Sequence, residues 1–171
     1  MSDNTIYMIP LEQKTIEMEP INDTIYMDPT EGSSQEWKHI GTFTWDAITE
    51  ASPDFNGAPG DYTGATKRVY PQYQRVKIVA VSGVWRDSKA EDAFCGSLGF
   101  KTQDKLVTLG PGSCLDDAGG SAYTNEQDAA NNWAGSVLEL ELGADKTIAW
   151  GFYDGRTDNN SGSLTFEIWG R

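Results

Sequence analysis

Two-residue alternation of apolar and polar side chains dominates the last third of the chain and leaves few architectures open. From Val137 to Leu142, Leu138, Leu140 and Leu142 fall on one side and Glu139 and Glu141 on the other. Lys146 to Tyr153 repeats the pattern with Ile148, Trp150 and Phe152, and Ser163 to Trp169 with Leu164, Phe166 and Ile168. Successive side chains of a strand point to opposite faces, so each segment reads as a strand with one buried face. Ile40 to Trp45 opens this region as a further strand, and the nearly continuous apolar run from Val76 to Trp85 predicts a strand buried on both faces. Ser52 to Gly64, with Pro53, Gly57, Pro59 and Gly60, reads as turns. A 3.6-residue period is missing from residue 36 onward, although Glu126 to Ala134 allows one or two helical turns. Eighteen Gly beside six Trp and seven Tyr suit short strands joined by tight turns, so the fold class is all-β, a sandwich or a barrel.

The first 35 residues are different. All four Met lie within the first 27 residues, in a region built on a repeat: Thr5-Ile6-Tyr7-Met8-Ile9-Pro10, Thr15-Ile16-Glu17-Met18-Glu19-Pro20 and Thr24-Ile25-Tyr26-Met27-Asp28-Pro29. The shared pattern is Thr-Ile-x-Met-x-Pro, with Ile and Met two apart and therefore on one face of an extended chain. The closing Pro withholds an amide and ends any strand. One such unit has too little apolar surface for a core and must pack on the body, on sister subunits or on the sheet edge of another protein. Residues 1–35 are therefore expected to be an extended arm, with Ile6, Met8, Ile16, Met18, Ile25 and Met27 as its docking residues, against the alternative of a disordered acidic tail. Residues 36–171 are the β domain, and Thr30 to Ser34 the link.

Thirteen Lys and Arg against 26 Asp and Glu give a net charge of −13. A surface of that sign repels a phosphate backbone, which excludes nucleic acid as a partner. The arm holds seven acids and one base and the remainder 19 acids and 12 bases, so charge is densest in the arm. With no run of about 18 apolar residues and no basic-then-apolar start, neither membrane insertion nor a secretory signal is expected. His39 is the one histidine, which excludes a multi-His zinc site, and Cys95 and Cys114 form no Cys-x-x-Cys pair. Those two cysteines are open to either a disulfide or buried thiols.

The densest polar cluster is Tyr153-Asp154-Gly155-Arg156-Thr157-Asp158-Asn159-Asn160-Ser161-Gly162. Carboxylates, carboxamides and carbonyls on a glycine-bearing loop suit Ca²⁺, which takes six to eight hard oxygens. A plain hairpin turn uses the same residue types, and the spacing is not that of an EF-hand.

Two motifs carry a resemblance. Asp92-Ala93-Phe94-Cys95-Gly96 with Leu98, and Asn159-Asn160-Ser161-Gly162-Ser163 before a short alternating final strand, resemble the PA-I galactophilic lectin family. Trp37-Lys38 and the strand through Gly83 are similar as well, so the resemblance spans roughly residues 36–171 and leaves out the arm. It implies a jelly-roll-type β-sandwich, galactose-binding-domain-like, that binds galactose through one Ca²⁺. Carried over, Asp154 is the calcium carboxylate and Asn159 and Asn160 the Asn ligands, with Asp154 and Asn159 also touching sugar. The carbonyl of Thr157 or Arg156, and that of Arg86 or Asp87, complete the metal set, and Cys95 lines the sugar pocket. The family's long segment with a sugar-holding His and Gln is here reduced to residues 86–91, and the enlarged 109–135 loop, with Tyr123 and Trp133, is expected to supply a stacking wall instead.

The resulting expectation is a calcium-dependent lectin-like module, binding galactose or another glycan and displayed by its arm as an oligomer or part of a larger assembly. Such an assembly resembles a phage virion or host-attachment particle surface. The alternative is a structural decoration or assembly protein whose sandwich has lost sugar binding. Catalysis is not expected: adjacent acids such as Asp116 and Asp117, or Asp154 and Asp158, do not by themselves set the carboxyl separation that a glycosidase needs.

Overall fold

The computed structural model describes residues 36–86, 94–110, 123 and 125–171, all within one unit, Gln35–Arg171. The arm residues Ile6, Met8, Ile16, Met18, Ile25 and Met27 lie outside the described residues, as do Asp87, Cys114, Asp116 and Asp117. Among the described residues no helix is long and apolar enough to cross a membrane.

Among the described residues, nine strands and one short α-helix follow the order β1 (Lys38–Asp46), β2 (Thr66–Val69), β3 (Arg75–Arg86), β4 (Phe94–Cys95), β5 (Leu98–Lys101), β6 (Leu106–Leu109), α1 (Glu126–Trp133), β7 (Val137–Glu141), β8 (Thr147–Gly151) and β9 (Ser161–Gly170). The first sheet runs β1-β9-β3-β4, with β7 also paired to β3, and the second runs β2-β8-β5-β6; all the pairings are antiparallel. The chain crosses repeatedly from one sheet to the other, and the two pack face to face as an all-β sandwich. Leu164, Phe166 and Ile168 form the inward face of β9, each fully buried as the alternation requires. Phe166 reaches across to Phe100 at 5.1 Å and Trp150 at 5.2 Å between ring centroids, joining the two sheets.

Strand β3 departs from the expected double burial. Val76, Ile78 and Ala80 are buried while Val81 is 42% exposed, so its first half alternates like the others. A register shift between Ala80 and Ser82 adds one residue and changes the parity, which turns Trp85 inward instead of outward. Gly83, opposite Leu164, is the position that permits this: its φ is +110°, and a Cβ there would lie 2.2 Å from the Ser163 carbonyl oxygen.

Double burial is found instead in the second sheet, where all five residues of β8, like all four of its neighbour β5, are buried. The outer side of β8 is covered by the turn-rich segment that includes Phe55, whose ring would meet a Cβ at Gly151 at 2.7 Å and one at Gly99 at 3.3 Å. Lys101 of β5 pins the same segment: its Nζ donates to the carbonyls of Asn56 and Asp61 and sits 4.0 Å from the centre of the Phe55 ring. Burial pulls the Lys101 amine below the usual lysine range, opposed by the nearby Asp61 charge.

Helix α1 is the two-turn helix foreseen, capped by Asn125, whose side chain accepts from the Asp128 N–H at 2.8 Å. Gly135, just past it, has φ +82° and open space around its Cβ position. Two Gly→Ala variants therefore separate steric clash from backbone preference. Gly135→Ala is expected to cost about 1 kcal/mol in urea unfolding, and Gly83→Ala about 3 kcal/mol or more. Equal costs would refute the bulge-and-glycine account of β3.

Candidate functional site

The loop 153–160 joins β8 to β9 and is held from one side by the segment 47–52. Ser52 N–H donates to the Phe152 carbonyl at 3.1 Å, and Asp154 N–H to the Ser52 carbonyl at 3.2 Å. At the other end Asn160 Nδ2 donates to the Ala47 carbonyl at 3.0 Å, and Ala47 N–H to the Gly162 carbonyl at 3.1 Å. One short segment thus ties down both ends of the loop. Asp46 shapes that segment by accepting from the Ile48 and Thr49 N–H groups through Oδ1, and Glu50 Oε2 accepts from the Asp46 N–H at 2.8 Å.

Within the loop, Asp154 and Asn160 are buried, at 8% and 6% exposure, although both are polar. Asp154 Oδ1 accepts the Arg156 N–H at 2.7 Å, but its Oδ2 is buried and, among the described residues, has no hydrogen-bond donor, as is also true of Asn160 Oδ1. A buried acceptor without a donor costs about 1–3 kcal/mol, more when charged. Both are hard oxygens, the donor type that Ca²⁺ takes. Asn159, half-buried, lies in the 3-10 turn Thr157–Asn159. The Thr157 carbonyl accepts the Asn160 N–H at 3.3 Å, and Arg156 pairs with Asp158 at 3.0 Å on the exposed side. Among the described residues no group of three or more His, Cys, Asp and Glu is placed to hold a metal; the loop's set is one carboxylate with carboxamides and carbonyls.

Beside the loop, where Asn160 leads into β9, lies a cleft of about 220 Å³. Its walls are Val84 to Arg86 at the end of β3, Phe94 of β4, Glu126 at the start of α1, and Ser161 and Gly162. Gly162, with φ +87°, lets β9 start against β3: a Cβ there would sit 2.4 Å from the Val84 carbonyl oxygen.

Two of the expected sugar-contacting residues need correction. Trp133 is fully buried, and its Nε1 donates to the Ser82 and Thr165 carbonyls at 3.0 and 3.2 Å, so it is a core residue with no free face for a sugar. Cys95, on β4 opposite Trp85, is also fully buried, and its neighbour Phe94 lines the cleft in its place. Tyr123 bridges to Phe94 through two backbone hydrogen bonds of 2.9 and 3.0 Å. His39 packs its ring edge 4.9 Å from Trp169, eight residues along β9 from Ser161, or roughly 26 Å away at strand rise. The residues that sequence reasoning missed are Ala47 and Ser52, which act through backbone groups and leave no signal in side-chain chemistry.

No family model and no curated protein matches the chain. Among solved structures, AJLec from the sea anemone Anthopleura japonica aligns with 79% of this chain and 96% of its own, at a TM-score of 0.39 and 13% identity.

The orphaned acceptors make a thermodynamic prediction in the absence of metal. Asp154→Asn keeps the oxygen that accepts from Arg156 and removes the buried charge. In EDTA it is expected to stabilise the domain by about 1 kcal/mol in urea unfolding. A loss of stability would mean that Asp154 is satisfied by protein donors.

Proposed function

We propose that this protein is a calcium-dependent carbohydrate-binding module, displayed through its N-terminal repeat arm on a larger assembly such as a phage virion or host-attachment particle. The observation that carries the reading is the pair of buried acceptors without donors, Asp154 Oδ2 and Asn160 Oδ1, in one loop anchored at both ends. Asp154, Asn159 and Asn160 would hold the ion, joined by the Thr157 carbonyl, which has a second lone pair, and by a carbonyl at Arg86 or Asp87. Bound there, Ca²⁺ would neutralise the Asp154 charge and offer its remaining coordination positions to sugar hydroxyls. The protein's own part is to fix these oxygens in advance, which the 47–52 hydrogen bonds do, and to place a cleft beside them. The Asn159-Asn160-Ser161-Gly162 motif, which resembles the PA-I lectins, sits at that junction. A single site of this kind binds sugar weakly, so avidity from many displayed copies completes the function.

Thermal unfolding tests the metal. With Ca²⁺ at about a hundred times its dissociation constant, linkage adds about 2.7 kcal/mol, which for a domain of this size raises the midpoint by about 10 °C over EDTA. Identical midpoints would overturn the reading.

A second reading, a decoration or assembly protein without sugar binding, is favoured by the brevity of residues 86–91, where the lectins carry their sugar-holding segment. The two readings share the arm. Deleting residues 1–30 is expected to abolish incorporation into the assembly while leaving the midpoint of the β domain unchanged; unaltered incorporation would remove the docking role from both.

A further inference from the structure

The cleft beside the loop contains a cation and an anion that do not pair with each other. Arg86 lies with its guanidinium carbon 4.1 Å from the centre of the Phe94 ring. Stacking holds one face of the guanidinium plane and leaves the N–H groups at its edge to donate. Among the described residues Arg86 makes no ion pair, although acids outnumber bases two to one in this chain. Glu126 stands on another wall of the same cleft, in the first turn of α1 where the helix dipole favours a carboxylate, and it too is without an ion pair among the described residues. Phe94, 8% exposed, borders the cleft under the guanidinium, and Trp85 behind it is fully buried.

A fork of donors and a pair of acceptors on two walls of one cleft fit a ligand that offers both kinds of group on adjacent atoms. Neighbouring hydroxyls of a hexose do so, each donating one hydrogen and accepting another. The charges of Arg86 and Glu126 cancel within the cleft and the surrounding domain is acidic, which disfavours an anionic sugar. We infer that Arg86 and Glu126 are the specificity-determining residues of the site and hold adjacent hydroxyls of a neutral hexose at the calcium loop. The inference rests on the proposed function above and supplies what residues 86–91 are too short to provide. It also gives the 109–135 region its part in the site, through Glu126 in place of Trp133.

Isothermal titration calorimetry on the full chain separates the two levels. Calcium is titrated first; methyl α-glycosides of galactose, glucose and mannose, and galacturonate, are then titrated at saturating Ca²⁺. At least one neutral glycoside is expected to bind, with galacturonate at least tenfold weaker than the best of them. Arg86→Gln and Glu126→Gln are each expected to weaken that glycoside about tenfold, the loss of a charge-assisted hydrogen bond, and Glu126→Gln is expected to do so with calcium affinity and thermal midpoint at wild-type values. Lys67→Gln, which removes an exposed charge on β2, controls for net charge and is expected to change nothing. Calcium binding without any neutral glycoside binding, unchanged affinity in both cleft variants, or preference for galacturonate would overturn the inference and leave the calcium reading standing. Failure of the wild-type chain to bind calcium would overturn the reading on which it rests.

Discussion

The inward face of β9 is the constraint on which the rest of the domain depends. Leu164, Phe166 and Ile168 are fully buried, and the strand that carries them pairs with β1 on one side and β3 on the other. Phe166 alone touches aromatic rings on β1, β5 and β8, so truncating it would open a cavity at the meeting point of both sheets. The same strand begins at Ser161, directly after Asn160, and so the register that buries the core also sets where the candidate ligands stand. A one-residue slip would expose the three apolar side chains and move Asn160 out of reach of the Ala47 carbonyl at once.

Core and site pull in opposite directions energetically. Burial of β9 stabilises, whereas sealing Asp154 Oδ2 and Asn160 Oδ1 from donors destabilises, and a domain tolerates such oxygens only where the surrounding structure overdetermines their position. Here that overdetermination comes from the 47–52 segment, which bonds to residues 152, 154, 160 and 162. On the proposed reading these oxygens would be held in place before an ion arrives, and the ion would supply the compensation that the protein withholds.

The alternating strands β7 and β9 were readable in the sequence because each buries one face more than the other, and burial is what period-two patterning records. Leu140, Leu142, Ile148, Trp150, Leu164, Phe166 and Ile168 are all buried as the pattern requires. The pattern misled where long-range contacts decide burial. Val76 to Trp85 looks uniformly apolar because a bulge switches its inward face part-way along, and β8 is covered on its outer side by Phe55 from a distant segment, which Lys101 of the neighbouring β5 holds in place. A buried lysine on a strand cannot be inferred from polarity, since its partners are backbone carbonyls of another loop. At the site, Asp154, Asn159 and Asn160 stood out as oxygen-bearing side chains in one loop. Trp133 was misassigned because an aromatic residue in a polar stretch gives no indication that its indole N–H is taken up by β3 and β9.

Metal stoichiometry is the most direct test of the calcium binding proposed for the 153–160 loop. The purified chain and an Asp154→Asn, Asn160→Ala double variant would be dialysed to equilibrium against the same calcium buffer and bound metal counted by inductively coupled plasma mass spectrometry. One Ca²⁺ per wild-type chain and none in the double variant is the expected result. A wild-type chain that retains no more calcium than the double variant would contradict the account, whatever sugar the protein is later found to bind.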